Sequence, residues 1–105
     1  MTYEKEVELF TNYTQNMREI FAKKRHDYGP STEETFNKFG MVSMIVRMQD
    51  KLNRLYTLSK SNDSAVDESI EDTLLDLANY AVITLLEIEK DKMSKYQQGL
   101  QNVMM

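Results

Sequence analysis

Cysteine is absent from this 105-residue chain. No disulfide framework and no Cys-ligated zinc site can be built from it. There is one histidine, His26, which excludes a multi-histidine metal site within one chain. Proline occurs once, at Pro30 behind Gly29, and that pair ends a helix and forms a turn. Basic charge is not in excess: 13 Lys and Arg face 17 Asp and Glu, a formal net charge of -4. A general nucleic-acid binder would usually be strongly positive, so strong nucleic-acid binding is not expected. No run of about 18 apolar residues exists, so no membrane span is expected. No signal-peptide pattern precedes the first helix, and a cytoplasmic location is expected. Strand patterning is missing as well, because β-branched residues are scattered and never alternate for long. Tryptophan is absent, while 8 methionines and 6 tyrosines offer an adaptable core.

What remains is helical periodicity in a chain sized for one domain. A first helix is expected from about Tyr3 to Arg25. Tyr3, Val7, Phe10, Thr14, Met17, Phe21 and Lys24 recur on one stripe. Its last turn is basic, Lys23-Lys24-Arg25-His26, which either complements the helix dipole or meets an anionic ligand. Ser31 and Glu34 read as a capping box for a short helix from Thr32 to Phe39, stopped by Gly40. Phe36 and Phe39 are its expected core anchors. A third helix runs from about Met41 to Ser59, with Met44, Ile45, Met48, Leu52 and Leu55 on its stripe. Ser64 and Asp67 resemble a second capping box, opening a last long helix near Ala65. That helix is expected to outlast Lys90 by a turn or two, with about 92–105 as a loosely ordered tail. The fold class is therefore all-α: a helical bundle of three long helices and one short one.

The last long helix poses the chemical question. At 100° per residue, Asp72, Asp76 and Asn79 lie about 40°, 80° and 20° from Glu68. From Leu74 onward the helix is apolar nearly all round, which marks burial on several sides. Carboxylates on such a surface need a positive counterpart. Three readings stay open. A hard divalent cation such as Mg²⁺ can be held by Glu68, Asp72 and Asp76, with Asp50 as a further ligand or an orienter. Arg47, Lys51 and Arg54 of the third helix can pair with the stripe as a plain salt-bridge network. Or the same cations can receive a phosphate, with Lys24, His26, Tyr28 and Asn79 as further contacts. For His26 a dipole role, for Asn79 a bond to a neighbour, and for Tyr28 a core position are the plain alternatives. Tyr80, on the other side, reads as core.

Taken together, the stretches Lys24-Arg25-His26-Asp27-Tyr28-Gly29, Phe36, Phe39-Gly40, Arg47 to Leu55 and Asp67 to Ala81 resemble the small helical family called nucleotide modification associated domain type 1. The resemblance spans about residues 20 to 88, and the family is found largely in bacteriophages and bacteria. It implies a nucleotide-related role. It also implies a phage setting, with the host cytoplasm as the location, where the protein could sequester a phosphorylated nucleotide or cyclic-nucleotide signal in counter-defence. More distantly, the chain is similar to the MazG-like all-α nucleoside triphosphate pyrophosphohydrolases. Those use an acidic pair on each of two helices to hold Mg²⁺. Here Glu68, Glu71, Asp72 and Asp76 match the second pair, whereas the third helix offers Asp50 among Arg47, Lys51 and Arg54. That likeness implies Mg²⁺-dependent pyrophosphohydrolysis as the alternative function. It also implies assembly of copies into a homo-oligomer that completes the bundle.

Overall fold

The computed structural model describes residues 1–61 and 65–104, apart from the side chains of 65 and 66. It contains α1 (Tyr3–Tyr28), α2 (Ser31–Phe39), α3 (Met41–Ser59) and α4 (Ala65–Met104), with no strand among the described residues. The all-α expectation holds. No described helix is long and apolar enough to cross a membrane.

Local chemistry sets most boundaries. The Thr2 hydroxyl accepts the Lys5 N–H at 3.1 Å, and Glu4 and Glu6 occupy the positive end of α1. At the other end Gly29 adopts φ 67° and gives its N–H to the Arg25 carbonyl at 3.0 Å. Helical geometry therefore reaches Tyr28, three residues past the expected stop at Arg25. The expected Ser31 cap is not made. The Pro30 carbonyl already accepts the Glu34 N–H at 3.0 Å, so Ser31 is the first helical residue and no side chain caps α2. Gly40, at φ 73°, ends α2 and starts α3 without a linker. The Ser64–Asp67 capping box lies partly outside the described residues.

α3 and α4 form an antiparallel helical hairpin. Arg54 faces Thr73, Lys51 faces Asp76 and Arg47 faces Tyr80, so the register descends one helix as it climbs the other. α2 folds against α3, and α1 crosses α4 near its middle, where the Asn79 side-chain amide donates to the Met17 carbonyl at 3.2 Å. The buried core is small. Met44 is the one buried hydrophobic residue among those described, and Thr73, Thr84 and Glu87 are the buried polar ones.

Two expectations about α4 need correction. Its apolar girdle is not enclosed by this chain: Leu74 and Leu85 remain exposed, because the packing of α3, one crossing of α1 and the ion contact from α2 leave them uncovered. Nor does the helix end soon after Lys90. Residues up to Met104 are helical, which makes α4 a rod of 40 residues. At about 1.5 Å per residue it spans about 60 Å, matching the 63 Å long axis of the molecule. Phe39, expected as an anchor, is exposed, with the Lys38 ammonium 5.4 Å from its ring centre.

Candidate functional site

The end of α1, the start of α2, the first half of α3 and the middle of α4 enclose a cavity of about 170 Å³. Gly29 and Pro30 reverse the chain there, so Tyr28 and Thr32 end up on opposite sides of one turn. α1 contributes Phe21, Lys24, Arg25 and Tyr28, and α4 contributes Tyr80, Ile83, Leu86, Glu87 and Lys90. The uncapped first turn of α2, Ser31 to Glu33, forms part of the wall. Its dipole adds partial positive charge to that side.

Arg47 is the central cation. Its guanidinium donates to the Thr32 hydroxyl at 3.4 Å and to the Thr35 hydroxyl at 3.5 Å. It also lies 6.0 Å from the centre of the Tyr80 ring. Thr35 passes its own proton to the Ser31 carbonyl at 2.9 Å, which turns a hydroxyl lone pair toward the arginine. Neutral hydroxyls and a ring orient the guanidinium without cancelling its charge. Among the described residues, neither Arg47 nor Arg25 meets a carboxylate.

The acids in the same cavity are matched elsewhere. The Lys90 ammonium reaches buried Glu87 at 3.0 Å and Glu33 at 3.6 Å. That ion cluster ties the last used turn of α4 to the first turn of α2. One ammonium between two carboxylates leaves that cluster one negative charge, against the two positive charges of Arg25 and Arg47 in the same cavity wall.

Beside the cavity, half-buried Asp76 sits between two ammonium groups. Lys24 of α1 and Lys51 of α3 each approach it at 3.4 Å. One carboxylate thus joins three helices and holds Lys24 at the edge of the cavity. Farther along, Arg54 donates to the buried Thr73 hydroxyl at 3.2 Å rather than to the acidic stripe.

The residues expected to act together divide into groups. Arg47, Lys24 and Tyr28 come together at the cavity. Lys51 joins Asp76 just outside it, and Arg54 is drawn off to Thr73. His26 is exposed, and among the described residues its one bond is to its neighbour Asp27, at 3.3 Å. Asn79 lines a separate apolar groove and serves the α1 crossing. Tyr80, expected in the core, is instead the ring beneath Arg47.

The metal reading loses its ligand set. Glu68, Asp72 and Asp50 are exposed and make no ion pair among the described residues, while Asp76 is committed to two lysines. No three carboxylate or imidazole groups converge among the described residues as a divalent cation requires. The physical reason is the hairpin register, which sets Lys51 and Arg54 opposite the stripe where a second acid would be needed.

Several contributors have only weak signals in the sequence. Thr32 and Thr35 are three residues apart on one helix face, as are Glu87 and Lys90. Such spacing is common, and nothing in it names Arg47 or Glu33 as the distant partner. Arg25 stood out only as one of a basic run.

A comparison with protein-family models matches residues 24–88 to the family described as nucleotide modification associated domain 1. No curated protein matches the chain, and no solved structure does. The matched residues contain the whole hairpin from Met41 to Glu87 and all of the cavity wall except Phe21 and Lys90.

Proposed function

The chain belongs to the nucleotide modification associated domain 1 family, and from that premise we propose that it binds a phosphorylated nucleotide and retains it intact. The observation that carries the reading is Arg47: a guanidinium oriented by two threonine hydroxyls and a tyrosine ring, facing a cavity, without a carboxylate partner among the described residues. A planar fork in that state suits phosphate oxygens. Arg25 and the first turn of α2 add positive potential on the same side. Tyr28 and Tyr80 offer aromatic faces for a base or a ribose.

The cavity is smaller than the roughly 300–1,000 Å³ of a complete small-molecule site. It suits the phosphate end of a ligand, with the rest lying over exposed Tyr28. Retention is favoured over hydrolysis because the carboxylates that a metal would need are apart or already paired. In a phage-infected cell such a protein would act as a sponge for a nucleotide or cyclic-dinucleotide signal, in the host cytoplasm, as a counter-defence.

The test is to incubate the purified protein with Mg²⁺ and a panel of nucleoside triphosphates and cyclic dinucleotides. The protein is then separated from free nucleotide and denatured, and the small molecules it releases, together with any products in the free fraction, are identified by mass spectrometry. Recovery of one class of intact nucleotide, lost in Arg47→Ala and kept in Asp72→Ala, is the expected result. Product formation that disappears in Asp72→Ala would replace binding by hydrolysis.

A further inference from the structure

Two helices of this chain carry an apolar seam of which only half is used. On α1, Tyr3, Val7, Phe10, Thr14, Met17 and Phe21 recur at alternating intervals of four and three. Met17 and Phe21 are half-buried at the crossing with α4, beside Ile83 and Leu86. The outer part of the seam is bare: Tyr3 and Phe10 are 76% and 70% exposed. On α4 the same alternation runs from Leu86 through Glu89 to Met93, Tyr96, Leu100 and Val103. There too the part beyond the crossing is bare, with Tyr96 68% exposed. The reason lies in the hairpin register. α3 starts at Met41, so it has no residue to set against α4 beyond about Leu86.

Alternation of four and three is the spacing of helices that pack side by side over several turns. Within one chain these two seams already meet at the crossing and then diverge. Their free ends match in length, about 16 Å for Tyr3–Tyr13 and about 18 Å for Met93–Met104 at 1.5 Å per residue. They also differ in charge. The α1 end carries Glu4, Glu6 and Glu8 against Lys5, while the α4 end carries no acid and one base, Lys95, which pairs with Asp91 a turn earlier at 3.0 Å. Pairing α1 with α1 would oppose acid to acid, whereas the α4 end brings no acid to the α1 seam. Pairing α1 with α4 therefore avoids the like-charge repulsion of an α1–α1 pair.

The exposed area points to an occupant of substantial size. The chain exposes 8406 Å², where a compact monomer of its mass would expose about 6,100 Å². The surplus exceeds the roughly 800 Å² that each partner buries in a standard stable interface.

We propose that Met93–Met104 of one copy packs along Tyr3–Tyr13 of a second copy, repeating between chains the α1–α4 contact made within one. The pairing needs no nucleotide and stands apart from the cavity around Arg47.

The chain has no cysteine, which makes site-directed cross-linking direct. Full-length Phe10→Cys and Tyr96→Cys, distinguishable by mass, are oxidised separately and as a mixture. The mixture should form the hetero-disulfide at least about tenfold faster than either protein dimerises alone, because the seam raises the effective concentration of that pair. Equal or faster homo-disulfides, or a mixed rate no greater than with Gln98→Cys in place of Tyr96→Cys, would overturn the pairing. As a second arm, wild type should sediment above 12.3 kDa. Tyr96→Glu with Leu100→Glu should sediment as the monomer while keeping its helical circular dichroism. A monomeric wild type, or a folded double variant of unchanged mass, would also overturn it.

Discussion

Arg47 on α3 lies over the ring of Tyr80 on α4, its guanidinium carbon 6.0 Å from the ring centre. The pair joins the two helices of the antiparallel hairpin and, at the same time, lines the cavity. One contact therefore serves packing and proposed ligand binding together. The guanidinium stays positive because its other neighbours are the neutral hydroxyls of Thr32 and Thr35.

Arg47→Ala should abolish most nucleotide binding while leaving the fold intact. A hydrogen bond to a charged group contributes about 1.5–3 kcal/mol, so affinity should fall about 10- to 150-fold. Arg47→Lys should recover only part of that loss, since a point charge cannot reproduce a fork. Isothermal titration with the nucleotide recovered from the wild type measures both. Unchanged affinity in Arg47→Ala would remove the site.

Met44→Ala should be among the most destabilising single substitutions. Met44 is fully buried, and it sits where α3 meets α4. Truncating a buried Met leaves a cavity and costs about 2–5 kcal/mol. Such a loss is a large share of the stability of a domain this size. Urea denaturation followed by circular dichroism reads it, and a shift below about 0.5 kcal/mol would mean that the hairpin core closes elsewhere.

The two lysines on Asp76 should contribute unequally. Side chains of Lys51 and Asp76 are 27% and 29% exposed, whereas Lys24 is 56% exposed. A double-mutant cycle of Lys51→Met and Asp76→Asn should give a coupling of about 0.5–1 kcal/mol, at the upper end for solvated pairs. The matching cycle with Lys24→Met should give less, and added salt should erase it first. Equal couplings would contradict the difference in burial.

Glycine to alanine should act in opposite directions at two positions. Gly29 has φ 67° and ψ -150°, a region that a side chain disfavours by about 1–3 kcal/mol. Gly99 lies inside α4 with open space around it, so alanine there should add about 0.5–1 kcal/mol. Thermal melts of the two variants give both signs. Gly29→Ala should also weaken nucleotide binding, because Gly29 turns the chain into the cavity wall.

Much of the helical architecture is legible one residue at a time. The stripe from Tyr3 to Lys24, the Gly29-Pro30 break and the stop at Gly40 are local signals, and the helices follow them to within a few residues. The exception is the end of α4. Polar residues past Lys90 suggested a loose tail, yet Lys95 pairs with Asp91 at 3.0 Å on a helix that reaches Met104. Of the site, the basic flank of α3 and the acidic stripe of α4 could be read, as could Lys24 and Tyr28 beside the turn. Their partners could not. Arg54 on Thr73 and Arg47 on Thr32 depend on hairpin register and on how α2 folds back, and neither is written in helical spacing.

The sequence by itself determined that the chain is helical, where its helices break, and which side chains bear charge, because periodicity, caps and turn residues act over a few neighbours. Tertiary structure decided which charges are matched. It placed Asp76 between Lys24 and Lys51, gave Glu87 and Glu33 to Lys90, and left Arg47 facing a cavity. Those pairings depend on the angle at which α1 crosses α4 and on the register of α3 along it, and both are set by packing between residues far apart in the chain.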